Sequence, residues 1–426
     1  MFIRVGIVES PSIEIEFSGS FFCQQTGRGH RGGVVLNIKG NKIGAFGSSF
    51  KNLNFRPIEN STFTVKNVVI GKNFHWQESR DQRFEGEIEI IVSHNSLVIV
   101  NKIDLERYIY SVIASEMSSN SPLEFLKAHA VASRSWILAL IHAHNRLSCH
   151  EESTENEIIR WYEHDSHKLY DVCADDHCQR YQGVPAVESP ALLEALRSTA
   201  GEIISHNGRV CDARFHKCCG GHTELFSASW ADKSPMYLEA KSDSQNPIEF
   251  GDLRQEESAY EFIKATPKDV FCNVEDSTII SKIFNGYDQK TDDFFRWKVK
   301  YTNEELSQII SKKSGFDFGR IVDLVPIKRY ASGRIVKLKV VGEKLTMTVG
   351  KELEIRRWLS ESHLYSSAFI VEKSEGGDFT LRGAGWGHGV GMCQVGAAQM
   401  AINGQNYRDI LNHYYPHTRI SVFEKK

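Results

Sequence analysis

Asp104-Leu-Glu-Arg-Tyr-Ile-Tyr-Ser-Val-Ile-Ala-Ser-Glu-Met117 is the stretch from which the fold of this chain can be read. Leu105, Tyr108, Ile109, Val112, Ile113 and Glu116 recur at the i, i+3, i+4, i+7, i+8, i+11 spacing of one helical face. All but Glu116 are apolar or aromatic, so the face predicts burial and carries a carboxyl inward with it. Burial disfavours the ionised form of a carboxyl, which makes Glu116 a candidate general acid. The alternatives are a Glu that escapes to solvent past the last turn, or one paired with a buried Arg.

Immediately downstream, Ser121-Pro122-Leu123-Glu124 has the form of a capping box with proline at the first helical position. It predicts a second helix from Pro122 to about His144, with Leu126, Ala130, Ser133, Ile137 and Leu140 as its core stripe. Lys127 and Arg134 lie seven residues apart and so project from nearly the same side, two turns apart. The expectation is a helical hairpin whose shielded acid and two aligned cations face a groove for a polar or anionic chain. A solvated face is the common alternative for any single Lys or Arg.

These residues carry a resemblance. The run Leu105 to Met117, followed by Ser121-Pro-Leu-Glu-Phe-Leu-Lys-Ala-His-Ala-Val-Ala-Ser-Arg134, is similar to the signature of the SpoIID/LytB family, named for stage II sporulation protein D. Three further segments agree with that family in order and spacing: Cys178-Gln-Arg-Tyr-Gln-Gly183, Ala213-Arg-Phe-His-Lys-Cys-Cys-Gly-Gly-His-Thr223 and Gly385-Trp-Gly-His-Gly-Val-Gly-Met-Cys-Gln-Val-Gly-Ala397. The resemblance implies a lytic transglycosylase that cuts peptidoglycan glycan strands, as in the sporulation members. Its LytB members imply instead an enhancer that works with a cell-wall amidase. On this resemblance Glu116 is the catalytic acid, and Lys127 and Arg134 are required basic positions that would hold the lactyl carboxylate or sugar oxygens. Lytic cleavage needs one carboxylate, whereas an ordinary glycosidase needs two. No strong second acid stands out, since Glu224 and Asp232 sit in no recognisable pairing.

His164-Asp-Ser-His-Lys-Leu-Tyr-Asp-Val-Cys-Ala-Asp-Asp-His-Cys178 concentrates His and Cys to a density that ordinary loops do not reach. Two thiolates and two imidazoles would complete a tetrahedral, closed and therefore structural Zn2+ site. A disulfide between Cys173 and Cys178, or a merely polar loop, are the other readings. The positions that match zinc-holding family members are His167, Cys173, His177 and Cys178, with His164 left as a spare. Such a site would staple the loop leading into Gln179 and Tyr181, which are expected to line the groove.

Gly383, Gly385, Gly387, Gly389 and Gly391 alternate with larger residues, so the backbone can bend sharply while Trp386 and His388 project towards a sugar. The run has no Walker lysine and no preceding βαβ unit, which argues against phosphate binding. His216, Trp386, His388 and Gln394 complete the expected substrate-binding set, with a structural His388 an equal alternative. Cys218 and Cys219 depart from the small Ser-rich run of the family and read as packed residues or free thiols, because adjacent cysteines rarely bridge.

At 426 residues and ~150 per domain, two or three domains are expected. The fold class is α+β. Residues 1–98 read as a β-rich N-terminal module, with strands Ile3–Val8, Ile13–Phe17, Gly33–Ile38, Phe63–Val69 and Glu87–Val100. A mixed core of 99–246 plus 373–426 carries the hairpin with the catalytic Glu. Residues 247–372 read as a mixed α/β insertion with a helix at Glu304–Lys313 and strands at Ile321–Lys328, Gly333–Val341 and Lys344–Val349; Tyr407–Tyr415 reads as a closing helix. A net charge of -3 argues against nucleic-acid binding. No segment reads as a membrane span or signal peptide, and nine cysteines, an odd number, suit a reducing compartment or unpaired thiols. The implied peptidoglycan substrate points instead to the cell envelope, with a protein that works inside the cell on something else as the alternative.

Overall fold

A computed structural model describes residues 1–71, 77–142, 150–162, 167–185, 187–286, 288–290 and 293–423. The fold is α+β. It divides into two compact units, Met1–Ser119 with His167–Ala200, and Asn120–Ser166 with Gly201–Lys426.

The first unit is built on strands β1 (Phe2–Ser10), β2 (Ser12–Cys23), β3 (Arg28–Lys39), β4 (Lys42–Ala45), β5 (Ser48–Phe50), β6 (Asn52–Ile70), β7 (Glu78–Glu85), β8 (Glu87–Ser93) and β9 (Ser96–Asp104). They form one sheet in the order β1-β9-β8-β6-β2-β3-β4-β5, with β7 also on β6. The short strand Val172–Cys173 adds to β1 in parallel, Val5 opposite Val172 and Gly6 opposite Cys173. Alternation does the work: Ile13, Ile15 and Phe17 on β2 and Phe63 and Val65 on β6 are buried, while the residues between them face outward or stand at the rim. The stretch expected as one strand over Glu87–Val100 is instead a hairpin. His94 and Asn95 turn it with φ of 45° and 62°, the left-handed pair that a two-residue connection between twisted strands requires.

β9 runs directly into helix α1 (Leu105–Glu116), whose first turn is capped by Asp104 accepting from the Glu106 N–H at 3.0 Å. A domain boundary at 98/99 would therefore cut β9. A boundary at 372/373 would likewise cut the strand Phe369–Lys373 in the second unit, whose partner Phe379–Ala384 pairs on its other side with Arg296–Tyr301.

The second unit begins with helix α2 (Leu123–His142). Nearly every side of α2 from Phe125 to Leu138 is buried, rather than the single stripe expected. The capping box does not form. The Ser121 hydroxyl is buried without a hydrogen-bond partner among the described residues, while Glu124 is taken by Lys127 Nζ at 2.7 Å and by the Tyr407 N–H at 2.9 Å. The expected insertion elements appear as helix Asn303–Ser314, with a true capping box from Thr302 and Glu305, and strands Ile321–Arg329, Ile335–Gly342 and Thr346–Gly350. These strands continue through Glu157–Trp161 and His150–Ser153 into one five-stranded sheet. Its core includes Trp297, Leu306, Leu338, Val349 and Trp358. No helix among the described residues is long and apolar enough to cross a membrane.

Candidate functional site

In the first unit, the predicted face of α1 is buried along its whole length and Glu116 is 8% exposed at its C-terminal end. The Arg180 backbone N–H donates to Glu116 Oε1 at 3.0 Å. The segment that supplies this donor is laid along α1 by paired bonds: Gln182 N–H to Ser115 Oγ at 3.0 Å, and Ser111 Oγ to the Gly183 carbonyl at 2.6 Å. A carboxyl oriented by a fixed donor and largely withdrawn from water suits short-range proton transfer.

Gln179 and Tyr181, expected as sugar contacts, are buried and serve this scaffold instead. Tyr108 OH donates to Gln179 Oε1 at 3.1 Å, and Tyr181 OH donates to Asn101 Oδ1 at 2.5 Å. The Tyr181 ring stacks between Tyr108 and Phe84, with centroids 5.4 Å and 5.9 Å away. A buried polar ring needs such partners, and α1 and the sheet provide them.

The sequence reading missed Asp176. Arg180 Nε donates to its Oδ1, while its Oδ2 is buried without a hydrogen-bond partner among the described residues. Burial pushes this carboxyl up to about 7, against the Arg180 charge and with help from that of Glu116. Its only sequence signal was membership of the His/Cys-rich loop.

That loop brings His167, Cys173, His177 and Cys178 together with all donor atoms within 4.8 Å. Cys178 Sγ lies 3.4 Å from His167 Nε2 and 3.5 Å from His177 Nδ1. Sulfur and nitrogen ligands of a tetrahedral zinc ion, at about 2.3 and 2.05 Å from the metal, stand about 3.6 Å apart, so the donor set fits the ion. Cys173 and Cys178 are not joined by a disulfide. The contact with Cys178, and those with His167 and His177, lower the Cys173 thiol towards the thiolate that a metal requires, against burial. His164 lies outside the described residues.

In the second unit, Lys127 is half-buried, paired with Glu124 and 5.9 Å from the centre of the Tyr407 ring. Arg134, expected to share a groove-facing side with it, is fully buried, with Nη1 donating to the Glu202 carbonyl at 2.9 Å. Seven residues separate them, but the all-round burial of α2 sends the second cation into the core. Gln394 is also buried rather than groove-lining, its Nε2 donating to His129 Nε2 at 3.0 Å. His216 is buried with Nδ1 3.1 Å from the Val390 carbonyl, and its Nε2 has no hydrogen-bond partner among the described residues. The His388 ring lies 5.5 Å from His216 and 4.7 Å from Trp230, and its Nδ1 accepts from the Val390 N–H at 3.0 Å. Burial first, then the His216 charge, holds this imidazole well below its ordinary range and hence neutral. Trp386 packs on Phe294 and Tyr365 while remaining partly exposed. The alternating glycines are needed here: a Cβ on Gly391, at φ +71°, would sit 2.1 Å from the Arg214 carbonyl oxygen. Glu224 is locked by the Ser332 N–H and hydroxyl, and Asp232 pairs with Lys351.

Residues 93–206 match the family model described as Stage II sporulation protein, and residues 224–391 match that of a domain of unknown function, DUF8618. The chain carries a SpoIID domain. Within it fall Glu116, Lys127, Arg134, the four His/Cys ligand candidates, Gln179 and Tyr181, whereas His216, Trp386, His388 and Gln394 lie beyond it. The chain is 26% identical to stage II sporulation protein D of Bacillus subtilis (strain 168) over 326 residues, 76% of each chain. It is 24% identical to the protein of the same name from Bacillus amyloliquefaciens over 340 residues, 79% of this chain and 80% of that one. The amidase enhancer of Bacillus subtilis (strain 168) is 24% identical over 251 residues, 54% of this chain and 32% of the enhancer. Similarity to the SpoIID relatives therefore runs well beyond the SpoIID domain itself.

Proposed function

We propose that this protein acts on the cell wall as a peptidoglycan lytic transglycosylase with Glu116 as its single general acid and base. The observation that carries the reading is the placement of the Glu116 carboxyl, mostly buried at the end of an apolar helical face and oriented by the Arg180 N–H. The acid gives its proton to the glycosidic oxygen between MurNAc and GlcNAc. The resulting carboxylate takes the proton of the C6 hydroxyl as that oxygen closes on C1, leaving a 1,6-anhydro end. Lys127 would meet the lactyl carboxylate or sugar oxygens. Arg134, buried, would order α2 rather than touch substrate. Zinc bound by His167, Cys173, His177 and Cys178 would play a structural part, fixing the loop that delivers Arg180 to Glu116. The substrate places the protein at the cell envelope.

A second reading, favoured by the similarity to the amidase enhancer, is a non-catalytic wall-binding module that stimulates a cell-wall amidase. Mass spectrometry of glycan strands, with and without stem peptides, incubated with wild type and Glu116→Gln separates the two. Anhydro-muramic ends produced by the wild type alone are expected. Binding without product from either protein would transfer the assignment to the enhancer reading.

A further inference from the structure

A second group of metal-ligating side chains lies in the second unit. Cys219, Asp243, Cys272 and Cys393 are all buried, and their donor atoms lie within 4.8 Å of one another. They come from four separate segments. Cys219 follows the strand Phe215–His216, Asp243 is held by its N–H to the Gly221 carbonyl, Cys272 follows Phe271, whose N–H bonds the Asp243 carbonyl, and Cys393 caps the helix Gln394–Ile402.

The cluster is oriented by hydrogen bonds from the surrounding backbone and side chains. The sulfur of Cys393 accepts two backbone N–H bonds, from Cys219 at 3.2 Å and from Gly396 at 3.4 Å. The sulfur of Cys219 accepts one from Gly221 at 3.3 Å. Asp243 Oδ1 is held by Tyr414 OH at 2.8 Å and His413 Nε2 at 3.2 Å, which turns Oδ2 to Cys219 Sγ at 3.0 Å. Metal ligands are oriented by outer partners in this way. No Lys or Arg among the described residues lies within 4 Å of this fully buried carboxylate. His413, at 3.2 Å, balances this charge only when protonated, so beside a neutral His413 a metal ion would supply the compensating cation. Gly396 leaves room for the cluster, since a Cβ there would stand 2.6 Å from Asp243 Oδ2 and 2.4 Å from Tyr414 OH.

The cysteines are free, and the Cys219–Cys272 sulfur separation of 3.3 Å is far from the ~2.05 Å of a disulfide. A disulfide of that pair would leave Cys393 and Asp243 unexplained. The compactness of the donor set matches a single ion rather than a cluster, whose sulfur ligands stand further apart. We infer that Cys219, Asp243, Cys272 and Cys393 hold a second, structural zinc ion. Soft thiolates with one carboxylate and no open position favour zinc. The ion ties the Cys218-Cys219-Gly220-Gly221 turn to the Met392-Cys393 strand, 174 positions away. In sequence Cys219, like Cys218, reads only as a packed residue or free thiol, because no spacing rule joins it to Asp243, Cys272 and Cys393.

The test is metal content of full-length protein purified without chelators, by plasma mass spectrometry, with zinc-edge X-ray absorption. A Cys173→Ser/Cys178→Ser variant, disabling the first site, is expected to retain one zinc. Cys272→Ser and Asp243→Asn are expected to lose one zinc relative to wild type. If those variants fail to fold, the wild type still decides: two sites give an average of about 2.5 sulfur ligands per zinc, against about 2 for the first site alone. A zinc-free Cys173→Ser/Cys178→Ser protein that remains folded would overturn the inference. So would a Cys219–Cys272 disulfide found by thiol titration of the freshly purified, denatured chain.

Discussion

His129 adds to the acid sensitivity of the second unit. Its ring is fully buried between Phe215 and Phe125, at 4.7 Å and 5.6 Å, and burial, reinforced by the Lys217 charge, holds it down to about 3. Gln394 donates to Nε2, so Nδ1–H faces Ser133 Oγ at 3.3 Å and the neutral tautomer satisfies both neighbours. An unfolded chain protonates this histidine below about 6.5, whereas the folded one resists until about 3. The unfolded state therefore binds the extra proton in between. Stability from this group is fully present above pH 6.5 and is lost as the pH falls towards 3. At about 1.4 kcal/mol per unit, the loss integrated from pH 6 to pH 4 is about 2.5 kcal/mol. Urea unfolding followed by tryptophan fluorescence at pH 6, 5 and 4 measures it in wild type and His129→Gln. The variant starts less stable but is expected to lose about 2.5 kcal/mol less across that range. Parallel losses in the two proteins would refute the reasoning.

Arg134→Ala is expected to cost about 3 kcal/mol or more in unfolding free energy, because it empties a core position and strips the Glu202 carbonyl of its donor. Lys127→Ala should stay within about 1 kcal/mol, as its pair with Glu124 is partly solvated, while glycan affinity measured by calorimetry falls. Gly391→Ala should lower the melting temperature sharply, by the equivalent of about 2 kcal/mol or more, since the left-handed φ and the Arg214 carbonyl both oppose a methyl group. A Gly391→Ala protein that melts like the wild type would contradict the packing described.

What lay within a few residues was legible in the chain itself. The 3.6-residue period placed the buried face of α1 and Glu116 at its end, the two-residue period placed most strands of the first unit, and the helix expected at Glu304–Lys313 forms over Asn303–Ser314. The His167, Cys173, His177 and Cys178 set was visible because its members are close in sequence. Local rules failed where a distant group competed for the same atoms. Glu124 completes no capping box because the Tyr407 N–H, 283 positions away, bonds its carboxylate. Gln394 and Tyr181 were read as groove residues, but the fold encloses them with His129 and Asn101. Arg134 shares a helical side with Lys127, yet only packing around α2 buries one and leaves the other near water. Helix, strand and loop chemistry followed from local periodicity. The Asp176 oxygen that has no partner among the described residues and the Cys219, Asp243, Cys272 and Cys393 cluster depend on contacts between remote segments, which chain-local spacing does not encode and only three-dimensional packing selects.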